Sequence, residues 1–195
     1  MNNNLSIKVI VGSTREGRFG DKAAAWIENE LNKHEGLAVE IVDLRDYEMP
    51  FFDNAISPSF IKEPYTNEAV KRFTQKIEEG DAFIVVTPEY NHGTSGVLKN
   101  AFDWVSREWN EKPIAFVSYG SVGGARAVEQ LRLTAIELQM APIREAVHLL
   151  GNDYFPVYFG KADAGEMFIK YEEKVSVTIE QLLKWAKALK EMRRQ

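Results

Sequence analysis

Residues 12–20, which read GSTREGRFG, have the composition of an anion-binding loop. Their glycines let a ligand approach the backbone closely, Ser13 offers a hydroxyl group, and Arg15 and Arg18 supply two guanidinium groups. A short apolar run precedes the loop and a helical pattern follows it, so the unpaired N–H groups of a helix start point at the same place. We therefore predict a phosphate-binding loop, although a glycine and serine turn with solvated arginines would give the same pattern.

This loop does not have the sequence of a magnesium-dependent nucleotide site. The glycine spacing Gly12-x4-Gly17 fits a P-loop, but arginine and phenylalanine stand where that motif has Lys and Ser or Thr. No hydroxyl group is then placed to hold Mg²⁺. Thr14 occupies the position of the second glycine of a dinucleotide-binding motif, so that motif is absent as well. The pattern favours the monoester phosphate of a mononucleotide.

Two later loops have ligand-binding chemistry of another kind. Residues 87–96 read TPEYNHGTSG and place an aromatic ring and an amide, Tyr90 and Asn91, beside small residues against which a planar ligand could lie. Residues 118–124 read SYGSVGG, and their glycines before a helical pattern let several N–H groups point at one ligand oxygen. Taken alone, this second loop is also compatible with a glycine-rich helix start that binds no ligand.

The composition excludes several other kinds of chemistry. The 195 residues include no cysteine, which rules out disulfides, zinc ribbons, iron–sulfur clusters and thiol nucleophiles. The three histidines, His34, His92 and His148, lie too far apart for a local metal motif, and we expect no metal. The net charge of −5 leaves no basic stripe for nucleic acid, and no apolar run reaches the ~20 residues of a membrane span. The start lacks the basic region of a signal peptide, so we expect a cytoplasmic protein with a single domain over residues 1–195.

The elements that must position these loops alternate along the chain. Five apolar runs bounded by turn residues predict strands, and the central runs are nearly continuous in Val, Ile, Phe and Ala, as in strands covered on both faces. The predicted strands are Ser6–Val11, Ala38–Leu44, Ala82–Thr87, Ile114–Tyr119 and Glu145–Leu149. Helical periods separate them, and the last helix is predicted from Glu166 to Met192.

Strict alternation of strand and helix predicts an α/β fold with a parallel sheet and right-handed crossovers. Five strands with five helices fit a flavodoxin-like three-layer sandwich with a five-stranded parallel sheet in the order 2-1-3-4-5, although the sequence does not itself determine that order. Ligands of such sheets bind beyond the carboxyl ends of the strands. We therefore expect the loops after the first, third and fourth strands to form one site.

Residues 87–104 read TPEYNHGTSGVLKNAFDW, which closely resembles the signature of the NADPH-dependent FMN reductase family. Members of this family are flavodoxin-like flavoenzymes that include quinone, azo-dye and chromate reductases. The loops at residues 12–15 and 118–124 are similar to loops of that family, in the same order and at matching intervals. The resemblance covers roughly residues 5–150 and implies an oxidoreductase that binds FMN.

The resemblance assigns cofactor contacts to all three loops. The residues that would hold the FMN phosphate are Ser13, Arg15, Arg18, Phe19 and Gly20. Those that would border the isoalloxazine ring and the ribityl chain are Pro88, Glu89, Tyr90, Asn91, His92 and Gly93. Those that would face the pyrimidine end of the ring are Ser118, Tyr119, Gly120 and Gly123. Many members read Arg-x-x-Ser-x-Asn in the first loop, whereas Arg18 and Gly20 stand at the last two positions here, so a guanidinium replaces a hydroxyl group at the phosphate.

The resemblance also implies a reaction. NADPH or NADH would pass a hydride to FMN and leave, and a small acceptor such as a flavin, a quinone, an azo compound or a metal oxyanion would take the same place in a ping-pong route. Backbone donors near N1 and O2 of the flavin would favour two-electron chemistry. No protein side chain need be catalytic, although His92 could donate a proton near neutral pH. A flavodoxin-type electron carrier and a non-catalytic flavin redox sensor remain as alternatives.

Two further expectations concern assembly and an irregular connection. The resemblance implies a homodimer or homotetramer with the third helix near the contact, where Trp104 and Trp109 are candidates to lie. The connection Tyr47–Pro64, which contains three phenylalanines and three prolines, fits neither a helix nor a strand and is expected at the mouth of the site. It either shapes the pocket for the electron acceptor, plugs a hydrophobic edge or contacts a second subunit.

Overall fold

The structure, a computed structural model, describes residues 4–61 and 65–195. At its centre lies a five-stranded parallel sheet with the order β2-β1-β3-β4-β5, which confirms the predicted order 2-1-3-4-5. The strands are β1 (Leu5–Val11), β2 (Leu37–Asp43), β3 (Ala82–Pro88), β4 (Pro113–Gly120) and β5 (Ala141–Leu150). In the described residues, the α-helices are α1 (Gly20–Leu31), α2 (Glu68–Glu79), α3 (Gly96–Trp104), α4 (Ala125–Glu137), α5 (Gly151–Tyr158), α6 (Ala164–Ile169) and α7 (Glu172–Met192).

The sheet separates two hydrophobic layers. On one face, Ile84 and Val117 belong to a core shared with α1 and α7, and on the other, Phe83 and Phe116 belong to a core shared with α2, α3 and α4. Every residue of β3 and β4 is buried, as their continuous apolar runs predict. Burying one such side chain stabilises the folded state by ~1.5–3 kcal/mol. The two central strands are therefore stable elements that hold the loops at their carboxyl ends in place.

The chain after β5 differs from the prediction. Instead of one helix from Glu166 to Met192 it forms α6 and α7, and an additional helix, α5, precedes both. Tyr171 lies at the break between α6 and α7. Its hydroxyl donates to Asp153 at 2.8 Å and accepts from the N–H of Leu150 at 3.1 Å, which ties this point of the chain to the start of α5. Helical periodicity misses α5 because that helix has only eight residues and contains a proline.

The last strand is longer than predicted. β5 begins at Ala141 rather than at Glu145, and Pro142 pairs with Ile114 of β4. A proline is tolerated there because β5 is an edge strand of the sheet. The register between β4 and β5 shifts between Ile114 and Phe116, so the early part of β5 carries an irregularity that interrupts the expected pattern.

The prediction that Trp109 lies at a subunit contact is wrong. The Trp109 side chain is 1% exposed and packs within its own chain against Phe83 and Phe102, with ring centroids 4.8 and 5.0 Å apart. Trp104 is buried as well, and its indole N–H donates to the carbonyl of Pro50 at 2.7 Å. Both tryptophan side chains are therefore part of the core.

The irregular connection after β2 is held by α3. The side chain of Asn100 accepts from the N–H of Phe52 at 2.9 Å and donates to the carbonyl of Pro50 at 2.9 Å, the same carbonyl that Trp104 binds. Residues 47–61 contain no strand and no α-helix, and their only helical piece is the single 3₁₀ turn Pro58–Phe60. Residues 62–64, the end of the predicted connection, lie outside the described residues, and the role of the connection stays a prediction.

In the part of the chain that the structure describes, no helix combines the length and the hydropathy needed to cross a bilayer. The same residues contain no group of three or more His, Asp or Glu side chains arranged to hold a metal ion. The organisation of residues 1–195 as a single domain stays a prediction.

Candidate functional site

The loops after β1, β3 and β4 meet at one edge of the sheet, because these strands are neighbours with parallel directions. They border a cleft whose enclosed part measures about 90 Å³. The residues that line it are Arg15, Arg18, Phe19, Pro88, Glu89, Tyr90, Tyr119, Tyr154, Phe155 and Tyr158. Seven of these come from the predicted cofactor residues, and the last three come from α5. The other predicted cofactor residues belong to the same three loops or their ends but do not line this space. They are Ser13, Gly20, Asn91, His92, Gly93, Ser118, Gly120 and Gly123.

The first residues of the loop after β1 are hydrogen-bonded to β3 and to the loop that follows β3. The N–H of Gly12 donates to the carbonyl of Val86 at 2.8 Å, and the hydroxyl of Ser95 donates to the carbonyl of Gly12. The hydroxyl groups of Ser13 and Tyr90 are 2.9 Å apart. These bonds place the buried Ser13 hydroxyl beside the phenol of Tyr90, which lines the cleft.

Arg18 is buried and paired. Its side chain is 1% exposed, its Nη1 donates to Asp43 at 2.8 Å and its Nε donates to Asp21 at 2.7 Å. Nη1 also donates to the carbonyl of Ser13. Burial by itself lowers the pKa of Arg18, but the hydrogen bonds and charges of the two carboxylates outweigh burial and raise it. Most of this guanidinium is therefore committed to the protein itself.

Arg15 stands in contrast to Arg18. Its side chain is exposed, and no carboxylate among the described residues lies within ion-pair distance of it. The guanidinium lies over the ring of Tyr158, 6.0 Å from the ring centroid. The backbone carbonyl of Arg15 accepts from the side chain of Arg45 at 2.5 Å, which holds the loop from the outside. Arg15 is thus a cation at the cleft whose charge the described residues leave unpaired.

The loop after β3 contains a tight turn. The N–H of Tyr90 donates to the carbonyl of Gly93, and the N–H of Gly93 donates back to the carbonyl of Tyr90, both at 2.9 Å. The two central residues, Asn91 and His92, have φ angles of 49° and 68°, in the left-handed region. Such backbone is costly for a residue other than glycine and is concentrated at functional sites.

The turn after β3 is anchored to α4 by an ion pair between the buried carboxylate of Glu89 and the partly exposed guanidinium of Arg126. The carboxylate of Glu89 accepts from the backbone N–H of Arg126 at 3.1 Å and from its Nε at 2.7 Å. Burial raises the pKa of Glu89, but the hydrogen bond and the charge of Arg126 outweigh it and hold that pKa below its ordinary value. Nη1 of Arg126 lies 2.8 Å from Nε2 of His92. Because a guanidinium can only donate, Nε2 accepts this bond, and His92 is held to α4 rather than to the cleft.

The loop after β4 is closed around Ser118. Its hydroxyl, which is buried, donates to the carbonyl of Gly123 at 2.6 Å and lies 2.8 Å from Nδ1 of His148. Gly123 and Gly124 have φ angles of 73° and 75°, and a Cβ on Gly124 would lie 2.7 Å from the Cβ of Ser118. Only glycine satisfies both the backbone angle and this close approach. The Ser118 hydroxyl is therefore turned toward the Gly123 carbonyl and His148, and its predicted contact with the ring stays a prediction.

Sequence reasoning missed the α5 wall of the cleft, which consists of Tyr154, Phe155 and Tyr158. The ring of Tyr154 packs against Phe19 and Tyr119, with centroid distances of 5.2 and 5.6 Å. Burial raises the pKa of Tyr119 above its ordinary value. The sequence signal for this wall is the dense aromatic run YFPVYF directly after the last strand.

The chemistry of these residues suits a flavin mononucleotide. The Arg15 guanidinium and the hydroxyl groups of Ser13 and Tyr90 suit a phosphate monoester, and the aromatic wall suits a flat ring. Gly20 starts α1, and a Cβ there would lie 3.1 Å from Oη of Tyr119, so this position leaves room for little more than backbone. The enclosed space is smaller than the ~300–1,000 Å³ of typical ligand pockets. A mononucleotide would therefore lie partly in the open cleft.

Comparison with known proteins identifies the family. The family model described as NADPH-dependent FMN reductase matches residues 5–154. An NAD(P)H-dependent FMN reductase of Schizosaccharomyces pombe is 38% identical over 146 residues, which cover 73% of this chain and 72% of that protein. A 2-hydroxy-1,4-benzoquinone reductase of a Burkholderia species is 34% identical over 137 residues, which cover 66% of this chain and 68% of that protein.

A solved structure agrees with these relatives. FerB, a flavoenzyme NAD(P)H:(acceptor) oxidoreductase from Paracoccus denitrificans, superposes with a TM-score of 0.69 and 25% identity. The match covers 92% of this chain and 98% of that chain. Since the family model spans most of the sequence and both curated relatives exceed 30% identity over about two thirds or more of it, the chain belongs to the NADPH-dependent FMN reductase family.

Proposed function

We propose that the cleft at the carboxyl ends of β1, β3 and β4 holds FMN, and that the protein uses it to move two electrons from NADPH or NADH to a small acceptor. The observation that carries this proposal is the guanidinium of Arg15, which lines the cleft without a carboxylate partner among the described residues. An unpaired cation beside a glycine-rich loop and a helix start is suited to an anion. Family membership makes the phosphate of FMN the natural candidate for that anion.

In this proposal the two arginines of the first loop have different roles. Arg15 and the Ser13 hydroxyl contact the phosphate, and the backbone at Phe19 and Gly20 offers the N–H groups of the α1 start. Arg18 acts indirectly, because its guanidinium is bound to Asp43 and to the carbonyl of Ser13. It shapes the loop on which the phosphate rests.

The isoalloxazine ring and the ribityl chain are assigned to the loop Pro88–Gly93, with the pyrimidine end toward Ser118–Gly123. The turn formed by Tyr90 and Gly93 and the ion pair of Glu89 with Arg126 support this assignment, because they give the loop one defined shape. Bound FMN supplies the hydride chemistry. The residues of the chain bind the phosphate, orient the ring and exclude water, and no protein nucleophile is required.

His92 has a structural role in this proposal. Its Nε2 accepts from Arg126, and its backbone carbonyl accepts from Gln130 at 3.1 Å. Both bonds hold the turn after β3 against α4. A proton-donating role would instead need the imidazole to face the cleft, and His92 does not line it.

Flavin binding is tested by adding FMN and riboflavin separately to the purified protein and recording absorbance and fluorescence. We expect a yellow complex with FMN. Replacing Arg15 by Ala should weaken FMN binding by about 10- to 100-fold, the loss expected for a hydrogen bond to a charged group, and should leave riboflavin binding unchanged. Lys22→Ala, which removes an exposed cation of α1 outside the cleft lining, is the matched control. A protein that takes up no FMN would exclude the proposal.

Turnover separates an enzyme from its alternatives. We expect steady-state oxidation of NADPH or NADH with free FMN, a quinone, an azo compound or a metal oxyanion as acceptor. If both substrates use one place in turn, double-reciprocal plots at different acceptor concentrations are parallel. Intersecting lines would contradict the ping-pong route. FMN binding without turnover would favour a flavodoxin-type electron carrier or a non-catalytic redox sensor.

We further propose a homodimer or homotetramer. Leu133 and Ile136 on α4 are 71% and 60% exposed, and Phe51 in the connection after β2 is 82% exposed, which provides apolar surface for a second copy. Sedimentation velocity tests this, and a strict monomer would contradict it.

We also propose one domain and a cytoplasmic location, where NADPH and NADH are present. A single cooperative unfolding transition and cell fractionation test these two statements.

A further inference from the structure

We propose that Ser118 and His148 are positioning residues for the cofactor, because together they orient the peptide between Gly123 and Gly124 so that its N–H faces the ligand side of the loop after β4. This inference rests on the proposed function, since it concerns the same cleft. Neither side chain lines the cleft, and each acts through the Gly123–Gly124 peptide.

The two side chains are held together by the sheet. Ser118 of β4 and His148 of β5 are register partners, so they project from the same face of neighbouring strands. The Ser118 hydroxyl donates to the carbonyl of Gly123 at 2.6 Å, and Nδ1 of His148 lies 2.8 Å from that hydroxyl and 3.3 Å from that carbonyl. Because the hydroxyl proton is used toward Gly123, Nδ1 of His148 donates to the hydroxyl oxygen.

These bonds determine the direction of the next N–H group. A trans peptide points its carbonyl and its N–H in opposite directions, and the described residues contain no cis peptide bond. Since the Gly123 carbonyl points inward to Ser118, the N–H of Gly124 points outward. It donates to no group among residues 4–61 and 65–195. A Cβ on Gly120 would lie 3.3 Å from this nitrogen and 3.1 Å from the Cβ of Glu89, a residue that lines the cleft.

Packing keeps the peptide in this orientation. A Cβ on Gly123 would lie 2.9 Å from the Cβ of His148, and a Cβ on Gly124 would lie 2.7 Å from the Cβ of Ser118. The loop therefore rests directly on the two side chains. Rotation of the peptide would leave the proton of the buried Ser118 hydroxyl without its acceptor.

His148 acts as an uncharged donor at neutral pH. Burial lowers its pKa, the nearby cations Arg132 of α4 and Lys174 of α7 lower it further, and the contact with the Gly123 carbonyl raises it in part. The resulting imidazole is neutral with its proton on Nδ1. A neutral donor can fix the loop without placing a buried charge behind it.

The consequence concerns the electron affinity of the bound cofactor. A backbone N–H aimed at the pyrimidine end of the ring favours the electron-rich form of FMN, because hydrogen bonds to the ring are one way in which a protein tunes it. If Ser118 and His148 aim this N–H, their removal should make bound FMN harder to reduce. A purely structural role would change stability and leave the midpoint potential unaltered.

The experiment measures the midpoint potential and the dissociation constant of FMN in the full-length protein. For Ser118→Ala and His148→Leu we expect about a tenfold loss of preference for the reduced cofactor, which is about 30 mV more negative for a two-electron couple. His148→Asn should restore the wild-type potential, because its amide nitrogen takes the place of Nδ1. Thr178→Val, which removes a buried hydroxyl group of α7, is the matched control and should show no shift.

The outcomes separate this inference from the proposed function. If the wild-type protein binds FMN and all variants keep its potential, the positioning role is wrong and the proposed function stands. If His148→Asn shifts the potential as much as His148→Leu, the Nδ1 donor has no role. If the wild-type protein binds no FMN, the proposed function itself fails. Should Ser118→Ala fail to fold, the two His148 variants provide the same comparison.

Discussion

The guanidinium of Arg18 faces the carboxylate of Asp43, with Nη1 of the arginine 2.8 Å from Oδ1 and Nη2 bonded to Oδ2. Asp43 is the last residue of β2, and its carboxylate also accepts from the N–H of Arg45 at 2.9 Å. A pair with two parallel hydrogen bonds is geometrically specific. The loop after β1 is thereby fastened to the end of the neighbouring strand, and the arginine that sequence reasoning assigns to a phosphate serves first to hold that loop.

Replacing Asp43 by Asn should lower the free energy of unfolding by about 1–3 kcal/mol, because a buried guanidinium loses its charged acceptor. Urea denaturation measures this effect. Asp53→Asn changes an exposed carboxylate of the connection after β2 and should alter stability by less than about 0.5 kcal/mol. Equal stabilities for both variants would show that the Arg18–Asp43 pair is energetically neutral.

The same pair predicts a dependence of stability on pH. Burial raises the pKa of Asp43, but the hydrogen bond and the charge of Arg18 outweigh it and lower the pKa in the folded protein. A carboxyl group with a lowered folded pKa stabilises the protein fully above its unfolded pKa of about 3.9, and this contribution disappears as the pH falls through the lower folded value. The stability difference between wild type and Asp43→Asn should therefore shrink on acidification, as acid urea titrations can measure. A constant difference down to the lowest pH would contradict this.

Lys112 should make the free energy of unfolding depend on pH in the alkaline range. Its ammonium group is buried, donates to the carbonyls of Ile77 and Glu78 at 2.8 and 3.0 Å, and has its pKa lowered by burial to about 8. Between that value and the unfolded pKa of about 10.4, the unfolded chain binds more protons, so stability contributed by this group rises with pH.

The measurement is the slope of unfolding free energy against pH across that window. Lys112→Met should remove the rise, which we expect to amount to about 1–3 kcal/mol. Lys184→Met, which changes an exposed lysine of α7, should leave the slope as in the wild type. An unchanged slope in Lys112→Met would mean that this ammonium titrates alike in the folded and unfolded chain.

Tyr158 should contribute to phosphate selectivity through Arg15. The guanidinium lies 6.0 Å from the ring centroid, and a cation–π contact at an exposed site is worth ~0.5–1 kcal/mol. Tyr158→Leu should therefore weaken FMN binding about two- to fivefold relative to riboflavin, whereas Tyr158→Phe keeps the ring and should keep the ratio. Fluorescence titration with both flavins measures it. A parallel loss for FMN and riboflavin would assign Tyr158 to the ring instead of the phosphate.

Asn100 should control the order of the connection after β2. Asn100→Ala removes the acceptor of the Phe52 N–H and the donor to the Pro50 carbonyl, at a cost of about 1–3 kcal/mol. Hydrogen exchange at Phe52 should accelerate, and limited proteolysis should cut the connection sooner. Asn29→Ala on the exposed face of α1 should change neither. Unaltered exchange at Phe52 would show that Trp104 alone holds the connection.

Much of the fold followed from local patterns. The continuous apolar runs of β3 and β4 predicted buried parallel strands, and alternation with helical periods predicted the α/β class. The loop at residues 12–20 is recognisable from its glycines and arginines after β1, and the loop at residues 118–124 from its glycines at the end of β4. The sequence predicts these features because helices and strands each bury apolar residues at a characteristic spacing along the chain.

The partners of the site residues were decided by tertiary structure. Whether Arg18 meets a phosphate or Asp43, and whether Ser118 faces a ligand or the Gly123 carbonyl, depends on groups brought together from other strands. The α5 wall escaped prediction because a short helix with a proline leaves little periodicity. Residue type specifies which interactions a side chain can make, but only the packed chain decides which partner lies within reach, because hydrogen bonds and ion pairs act over a few ångströms.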